Sequence, residues 1–331
     1  VRLLTFVGAR DARQSRRLGL LIDDTHVIDI NAAYFELLAR RVRLDRASSL
    51  AADLAPPDLL RFLSNGGIHE DVLQELSAEQ SGLAGVERNS SGQRVVYSVD
   101  DIVVQAPLTR PLSIRDCSAF EEHVRNASGS RGVPDQWYRH PTYYKGNPAS
   151  VVGTSVAIRR PAGETRMDYE LEFAVVIGRE GRDITTTKAP EYIAGYTIFN
   201  DVSCRDRQFA EMRAHLGPAK GKDFDGGNVL GPYLVTADAF DPEEPNAMVA
   251  RVDGEEWSRG STDTLHYSVA EIISYISRDE TLYAGDVIGV GTVGGGCGLE
   301  LGRYPEMGQE VELEIDGLGL LRNTFIDGTS L

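Results

Sequence analysis

Cysteine is scarce in this chain: Cys117, Cys204 and Cys297 lie far apart, with no CxxC pair. An odd, dispersed set argues against a disulfide framework and suits a reducing, cytoplasmic compartment. Long apolar runs are also missing. None approaches the roughly 20 residues of a membrane span. The opening VRLLTFVGARDARQSRR has neither the apolar core nor the small-residue cleavage site of a signal peptide. In the expected compartment the sequons at Asn89 and Asn126 carry no meaning. Basic residues are outnumbered, 34 against 50 acidic ones, for a formal net charge of −16. Phosphate binding needs a basic footprint, so nucleic acid is not an expected partner. No like-charge run reads as an acidic tail, and the charge is expected on a solvated surface.

What is present is a hydrophobic content of 41% over 331 residues, enough for one large or two modest domains. Short strands are expected over 2–7, 18–23 and 26–30, with Asp23-Asp24-Thr25 turning between the last two. A helix is expected over 31–43. Pro57 is read as opening another, which Asn65-Gly66-Gly67 stops. A third helix over 69–79 and the strand RVVYSV follow. Residues 1–106 thus read as a small α+β domain. Beyond Pro107 strand-like segments dominate: 149–158, 169–178, 194–200, 230–236, 248–253, 286–292 and 310–326. Helices are expected only near 118–127, 188–193, 203–215 and 268–278. Without βαβ alternation a doubly wound sheet is disfavoured. The expected class is α+β, β-rich, with a mixed or antiparallel curled sheet over 107–331.

Two glycine-rich segments imitate nucleotide motifs. Gly289-Val-Gly291-Thr-Val-Gly294 has GxGxxG spacing, but no clear helix follows to present its N-terminus to a pyrophosphate. Gly217-Pro-Ala-Lys-Gly221-Lys222-Asp223 approaches a P-loop with one spacer too few, and an aspartate stands where the hydroxyl belongs. Neither is read as a nucleotide site.

The alternation in MDYELEFAVVIG places Glu170 and Glu172 on one side of a strand, roughly 7 Å apart. Spacing alone favours a solvated strand face. Asp201, between the strand AGYTIFN and a following helix, is either a helix cap or a third oxygen donor. With it the set suits a hard cation such as Mg²⁺, Mn²⁺ or Ca²⁺. Ser118-x-x-Glu121 has the form of a capping box for a helix carrying His123. A lone histidine there is ordinarily a surface residue. Adjacent helical residues do not face each other, so if His123 acts as a general base Glu122 cannot orient it and its orienting carboxylate must come from elsewhere. Asp116 is placed to cap or to ligate.

Taken in order, these motifs resemble the fumarylacetoacetate hydrolase superfamily over about residues 107–331. The motifs are Asp116 with His123, Met-Asp-Tyr-Glu170-Leu-Glu172, Asn200-Asp201-Val-Ser-Cys-Arg205-Asp206-Arg-Gln208, Gly221-Lys222-Asp-Phe224-Asp225-Gly226, Gly291-Thr292 and Glu300. The resemblance implies a curled sheet or β-roll catalytic domain behind a small N-terminal one. Glu170, Glu172 and Asp201 would hold a divalent metal, with Asp116 a fourth ligand. His123 would be the general base and Glu300 its orienting partner. Lys222 and Gln208 would stabilise an enolate or oxyanion. Tyr144 and Thr292 would contact substrate; Arg205, placed with them, would brace the site with Asp206. The implied reaction is hydrolysis of a C–C bond in a β-diketo or related 2-oxo acid. Decarboxylation, isomerisation and hydration are alternatives, and a catalytically idle binding protein is a rival of another class. The implied assembly is a homodimer. Departures are Val202 where the family often has Trp, and GGGCG before Glu300. Each cysteine lies close in sequence to an implied site residue; coincidence is the default reading, and disturbance of activity by thiol modification is the alternative. Selectivity is expected in the stretch 128–144 and the N-terminal domain.

Overall fold

The computed structural model describes residues 1–328; the last three residues of the expected catalytic domain lie outside them. The N-terminal stretch opens with strands β1 (Arg2–Gly8), β2 (Arg17–Leu21) and β3 (His26–Asp29). Asp29 ends β3 and caps helix α1 (Ile30–Ala39) by accepting from the Ala32 N–H. The single helix expected over 31–43 is shorter, and α2 (Leu44–Leu54) follows it. The buried residues of α2 are Ala47 and Ala51, too small to write an apolar stripe in the sequence. Helix α3 (Leu59–Leu63) is capped by Asp58, so Pro57 lies outside it rather than at its first turn. Then come α4 (Ile68–Ala78), β4 (Val96–Ser98) and β5 (Ile102–Gln105).

The remainder supplies β6 (Ile114–Cys117), α5 (Glu121–Ser128), β7 (Tyr143–Gly146), β8 (Leu171–Ile177), β9 (Ile193–Asp201) and α6 (Arg205–Arg213). It continues with β10 (Asn228–Thr236), β11 (Ala247–Val252), β12 (Glu255–Ser261), α7 (Val269–Ile276), β13 (Val287–Gly289), β14 (Glu310–Ile315) and β15 (Gly319–Ile326). The expected strand 149–158 is instead two short pieces, Val151–Val152 and Ile158–Arg159, in different sheets. The helix expected over 188–193 is a 3₁₀ turn, Ala189–Tyr192. The box expected at Ser118 does not form. Phe120 stands at the cap of α5, and the Ser118 N–H bonds the Thr142 carbonyl. A capping box does form between Ser268 and Glu271, ahead of α7.

The result is a mixed, β-rich fold. A twelve-stranded sheet runs β4-β3-β2-β1-β10-β9-β8-β13-β6-β7, with β5 also on β1 and Val151–Val152 on β10. It continues across the expected domain boundary, because β1 pairs with β10 (Leu3 opposite Leu234). A five-stranded sheet follows the order β12-β11-β14-β15 and ends on Ile158–Arg159.

Residue parity in β8 decides what each face does. All seven residues of β8 are buried. Leu171, Phe173, Val175 and Ile177 enter a core shared with Met248, Leu313 and Phe325 of the smaller sheet and Ile272 of α7. Ala174 and Val176 face the other way, into a core with Leu3, Ala33 and Leu37 of the N-terminal stretch, Phe199 of β9 and Ile114 of β6. Glu172 shares that second face, since side chains alternate along a strand. Directly paired residues present side chains on the same face. Phe199 lies opposite Glu172, Gly289 opposite Ala174, Asp116 beside Gly289 and Tyr144 opposite Asp116. One sheet face therefore carries the second core at one end and a row of polar residues at the other.

Candidate active site and metal centre

At that polar end Asp116, Glu170, Glu172 and Asp201 each offer an oxygen within 4.8 Å of the others. All four are buried, Glu172 and Asp201 to 0% exposure. The solvated strand face favoured by spacing alone is thus excluded. Asp201 does not cap α6 either, whose cap residue is Cys204 with no side-chain bond. It ends β9 and points its carboxylate at Lys222 and Tyr144.

Two cations offset part of this charge. Lys222, itself buried, ion-pairs with Asp201 and with Glu170 at 2.7 Å. Arg205 places its guanidinium 2.6 Å from Asp168, 2.9 Å from Glu170 and 2.9 Å from the Gln208 side-chain carbonyl. The Tyr144 hydroxyl donates to Asp201 at 2.6 Å and the Thr292 hydroxyl to Glu172 at 2.8 Å. Burial alone would raise Glu170, but Lys222, Arg205 and His123 overcome it and hold its pKa below the ordinary value. Glu172 and Asp116 have no such cover. Burial, and then the neighbouring carboxylates, push both well above the usual range. Asp201 is raised by burial to about 6 despite Lys222.

Whether this site fits a cation is decided by its unpaired atoms. Asp116 Oδ1, Glu172 Oε2 and Asp201 Oδ1 are buried and accept no hydrogen bond from the described residues. A buried polar atom without a partner is costly, and three acidic ones from converging carboxylates are a deficit of positive charge. A hard divalent ion that takes oxygen ligands satisfies it, so the residues fit Mg²⁺, Mn²⁺ or Ca²⁺. Glu170 has both oxygens already engaged, by Arg205 and Lys222.

His123 sits on α5 and lines the same cavity of about 320 Å³ as Asp116, Glu170, Glu172, Gln208, Lys222 and Thr292. Its Nδ1 lies 2.7 Å from Glu300 Oε1. Glu300 is thus a distant carboxylate placed to orient the imidazole. Glu300 Oε2 accepts from the Asn126 side chain and the Gly295 N–H, both at 2.8 Å. His123, with Arg205 and Gln208, also borders an adjoining cavity of about 830 Å³ that reaches Arg131 and Arg213. Part of the stretch 128–144 thus lies at the cavity mouth.

The GxGxxG segment has a local purpose. A Cβ on Gly289 would stand 2.4 Å from Asp116 Oδ1. Gly291 has φ +99°, and a Cβ there would lie 2.6 Å from the Cys117 carbonyl. These glycines let the Asp116 strand approach, and no long helix opens on them. Asp206 bonds Thr165 and Arg166 at the periphery. Two residues escaped the sequence reading. Asp168, fully buried, accepts from the Gly298 and Leu299 N–H groups as well as from Arg205, and so ties the cation-braced strand to the Glu300 loop. Its signal was the same period of two that marks Glu170 and Glu172. Asn126 lies three positions after His123, one helical turn, and that spacing was its signal.

Residues 113–326 match the family described as fumarylacetoacetate (FAA) hydrolase C-terminal. The oxaloacetate tautomerase YisK of Bacillus subtilis is 28% identical over 313 residues, covering 92% of this chain and 95% of that protein. The mitochondrial oxaloacetate tautomerase FAHD2A of Bos taurus is 30% identical over 289 residues, covering 83% and 90%. The solved fumarylacetoacetate hydrolase of Exiguobacterium antarcticum superposes with a TM-score of 0.70 at 26% identity, covering 98% of this chain and 99% of its own. The chain, with its buried carboxylates and its histidine held by a distant glutamate, belongs to the fumarylacetoacetate hydrolase family and is an enzyme of that superfamily.

Proposed function

We propose that this chain is a divalent-metal-dependent enzyme that transfers a proton on a small 2-oxo acid, with enol–keto tautomerisation of an oxaloacetate-like diacid as its leading activity. The observation that carries it is the His123–Glu300 pair beside the carboxylate cluster. Glu300 accepts from Nδ1–H and leaves the Nε2 lone pair to take a proton from the carbon between two carbonyl groups. The imidazolium so formed is stabilised by the carboxylate beside it. A cation held by Asp116, Glu170, Glu172 and Asp201 supplies Lewis-acid stabilisation of the substrate oxygens when bound. Lys222 lines the cavity and adds positive charge where an enolate oxygen develops. Gln208 lines the same cavity, and with its carbonyl engaged by Arg205 its amide N–H groups remain to donate to the same charge. Tyr144 and Thr292 orient Asp201 and Glu172, and their oxygens can accept from a substrate hydroxyl. His123 returns the proton to the oxygen of the adjoining carbonyl, which completes the enol, and the reverse sequence gives the keto form.

The relatives named oxaloacetate tautomerases, which align over most of the chain, favour this reading. Hydrolysis of a C–C bond in a β-diketo acid is the second reading. It is favoured by the adjoining cavity of about 830 Å³, more room than a four-carbon acid needs. There His123 takes its proton from water. The molecule acts as a homodimer, which sedimentation would check.

The test is the loss of enol absorbance of oxaloacetate with Mg²⁺, beside a panel of β-diketo acids. His123→Ala should abolish turnover and leave calorimetric Mg²⁺ binding unchanged. Full activity in that variant would overturn the assignment. Specific binding without turnover of any candidate would make the chain a binding protein instead.

A further inference from the structure

Beside the oxygen cluster the chain assembles a second donor set of different chemistry. His123, Cys297 and Glu300 each present a ligand atom within 4.8 Å of the other two. Glu300 Oε1 lies 2.7 Å from the imidazole Nδ1 and 3.4 Å from the Cys297 sulfur. The thiol is not needed to satisfy that carboxylate, which already accepts from His123, Asn126 and Gly295. Nitrogen, sulfur and oxygen together form a three-ligand set with an open fourth position, the pattern a borderline-soft ion takes. Mg²⁺ and Ca²⁺, which prefer all-oxygen surroundings, have no reason to choose it. We propose that His123, Cys297 and Glu300 form an inhibitory site for a thiophilic divalent cation such as Zn²⁺ or Cd²⁺, separate from the four-carboxylate cluster.

The geometry allows it with a small adjustment. Bonds of about 2.0–2.3 Å place tetrahedral ligands roughly 3.3–3.8 Å apart; the sulfur–carboxylate distance of 3.4 Å already fits, the imidazole–carboxylate distance of 2.7 Å must widen by roughly half an ångström, and the imidazole–sulfur pair, within 4.8 Å, closes by at most about an ångström. Cys297 is the cap residue of the one-turn helix Gly298–Leu301 that carries Glu300, and α5, which carries His123, has no buried residue to hold it rigidly in a core. Cys297 is fully buried, whereas the His123 side chain is 15% exposed and borders both cavities. The ion enters past the imidazole. Burial keeps the thiol protonated in the absence of a cation.

Binding balances as follows in protons. The Cys297 S–H bond breaks, its proton goes to solvent, and a metal–sulfur bond forms. The imidazole coordinates through Nδ1, and the hydrogen it held there moves to Nε2. Glu300 exchanges two donated hydrogens for the cation. One proton is released and nothing is oxidised. The imidazole then carries N–H where proton abstraction needs a lone pair, so turnover stops. That last consequence rests on the reading of His123 as the base; the site itself does not.

The experiment uses the full chain saturated with Mg²⁺ and titrated with Cd²⁺. A sulfur-to-cadmium charge-transfer absorbance should rise and saturate at one equivalent. It should vanish in Cys297→Ser and persist in Cys117→Ser and Cys204→Ser. His123→Gln should weaken Cd²⁺ at least tenfold without changing Mg²⁺ affinity. Cadmium NMR of the unaltered chain needs no variant: a one-sulfur resonance supports the site, and only all-oxygen resonances overturn it. Absence of the band, or its survival in Cys297→Ser, overturns it too. Turnover should fall along the same Cd²⁺ titration. A full band without inhibition would refute the inhibitory role and the assignment of His123 as base, whereas activity with Mg²⁺ alone tests the proposed reaction independently.

Discussion

Replacing Glu300 by glutamine tests the proton-transfer reading most sharply, because the surrounding donors dictate how the amide must sit. Oε2 of Glu300 receives two N–H groups, from Asn126 and Gly295. An amide nitrogen placed there would face two donors with a third. The substituted side chain would therefore turn its carbonyl toward them and its NH₂ toward His123. Nδ1 then becomes an acceptor and the ring proton moves to Nε2, the wrong tautomer for a base. Two losses add. A hydrogen bond to a charged group contributes about 1.5–3 kcal/mol, which stabilises the imidazolium. At about 1.4 kcal/mol per decade that alone lowers kcat roughly 10- to 150-fold. In a serine protease triad the comparable tautomer error lowers kcat about 10⁴-fold. We expect kcat to fall about 10³-fold, with KM changed less than about threefold. Mg²⁺ affinity should hold, since Glu300 touches none of the four clustered carboxylates. Steady-state tautomerase kinetics and calorimetry give both numbers. A kcat within threefold of the unaltered chain, or a collapse of Mg²⁺ binding, would refute the reasoning.

Four further outcomes are expected. Asp116, Glu172 and Asp201 hold protons more tightly folded than unfolded, so the metal-free fold is favoured below their unfolded values. For Asp201 that advantage is lost as pH climbs from the ordinary value of 3.8 through about 6. Metal-free Tm should therefore fall across this window while the gain in Tm from Mg²⁺ grows, and a flat metal-free profile would contradict it. Glu172→Gln should weaken Mg²⁺ at least about 100-fold, as loss of a ligand does, yet raise metal-free Tm by removing a repelled, unpaired charge; calorimetry and thermal melts read the two. Asp168→Asn should destabilise by about 3–5 kcal/mol, the range for breaking a buried ion pair, because Arg205 loses its main partner; chemical denaturation measures it. Gly289→Ala should crowd Asp116 Oδ1 and weaken Mg²⁺ binding about tenfold or more, with little change in secondary structure by circular dichroism.

Some of this was written in the chain and some was not. Alternation in MDYELEFAVVIG is local; it put Glu172 on one side of β8, whereas Glu170 lies just before that strand, in an isolated bridge to Cys297, with its carboxylate in the same cluster. The alternation carries no information on what covers that side. Burial of both faces of β8 comes from the smaller sheet on one side and the N-terminal helices and site on the other. That cover turned an ordinary acidic face into a buried, cation-deficient one. Helical spacing showed only that a carboxylate orienting His123 as a base could not be Glu122, and Glu300 is 177 positions away, beyond any local pattern. The resemblance named the partner; the packing of α5 against the Glu300 loop made the contact. At Ser118 the local signal failed, because a tertiary hydrogen bond to Thr142 displaced the cap. β6 was missed because Arg-Asp at its centre breaks the apolar pattern, although both are buried in the fold. The sequence by itself thus determined the periodicities, the acidic balance and the family motifs, all of which are short-range or compositional. Only the tertiary structure decided which charges lose their water, and that loss is what gives four carboxylates a need for a cation and one histidine a fixed proton.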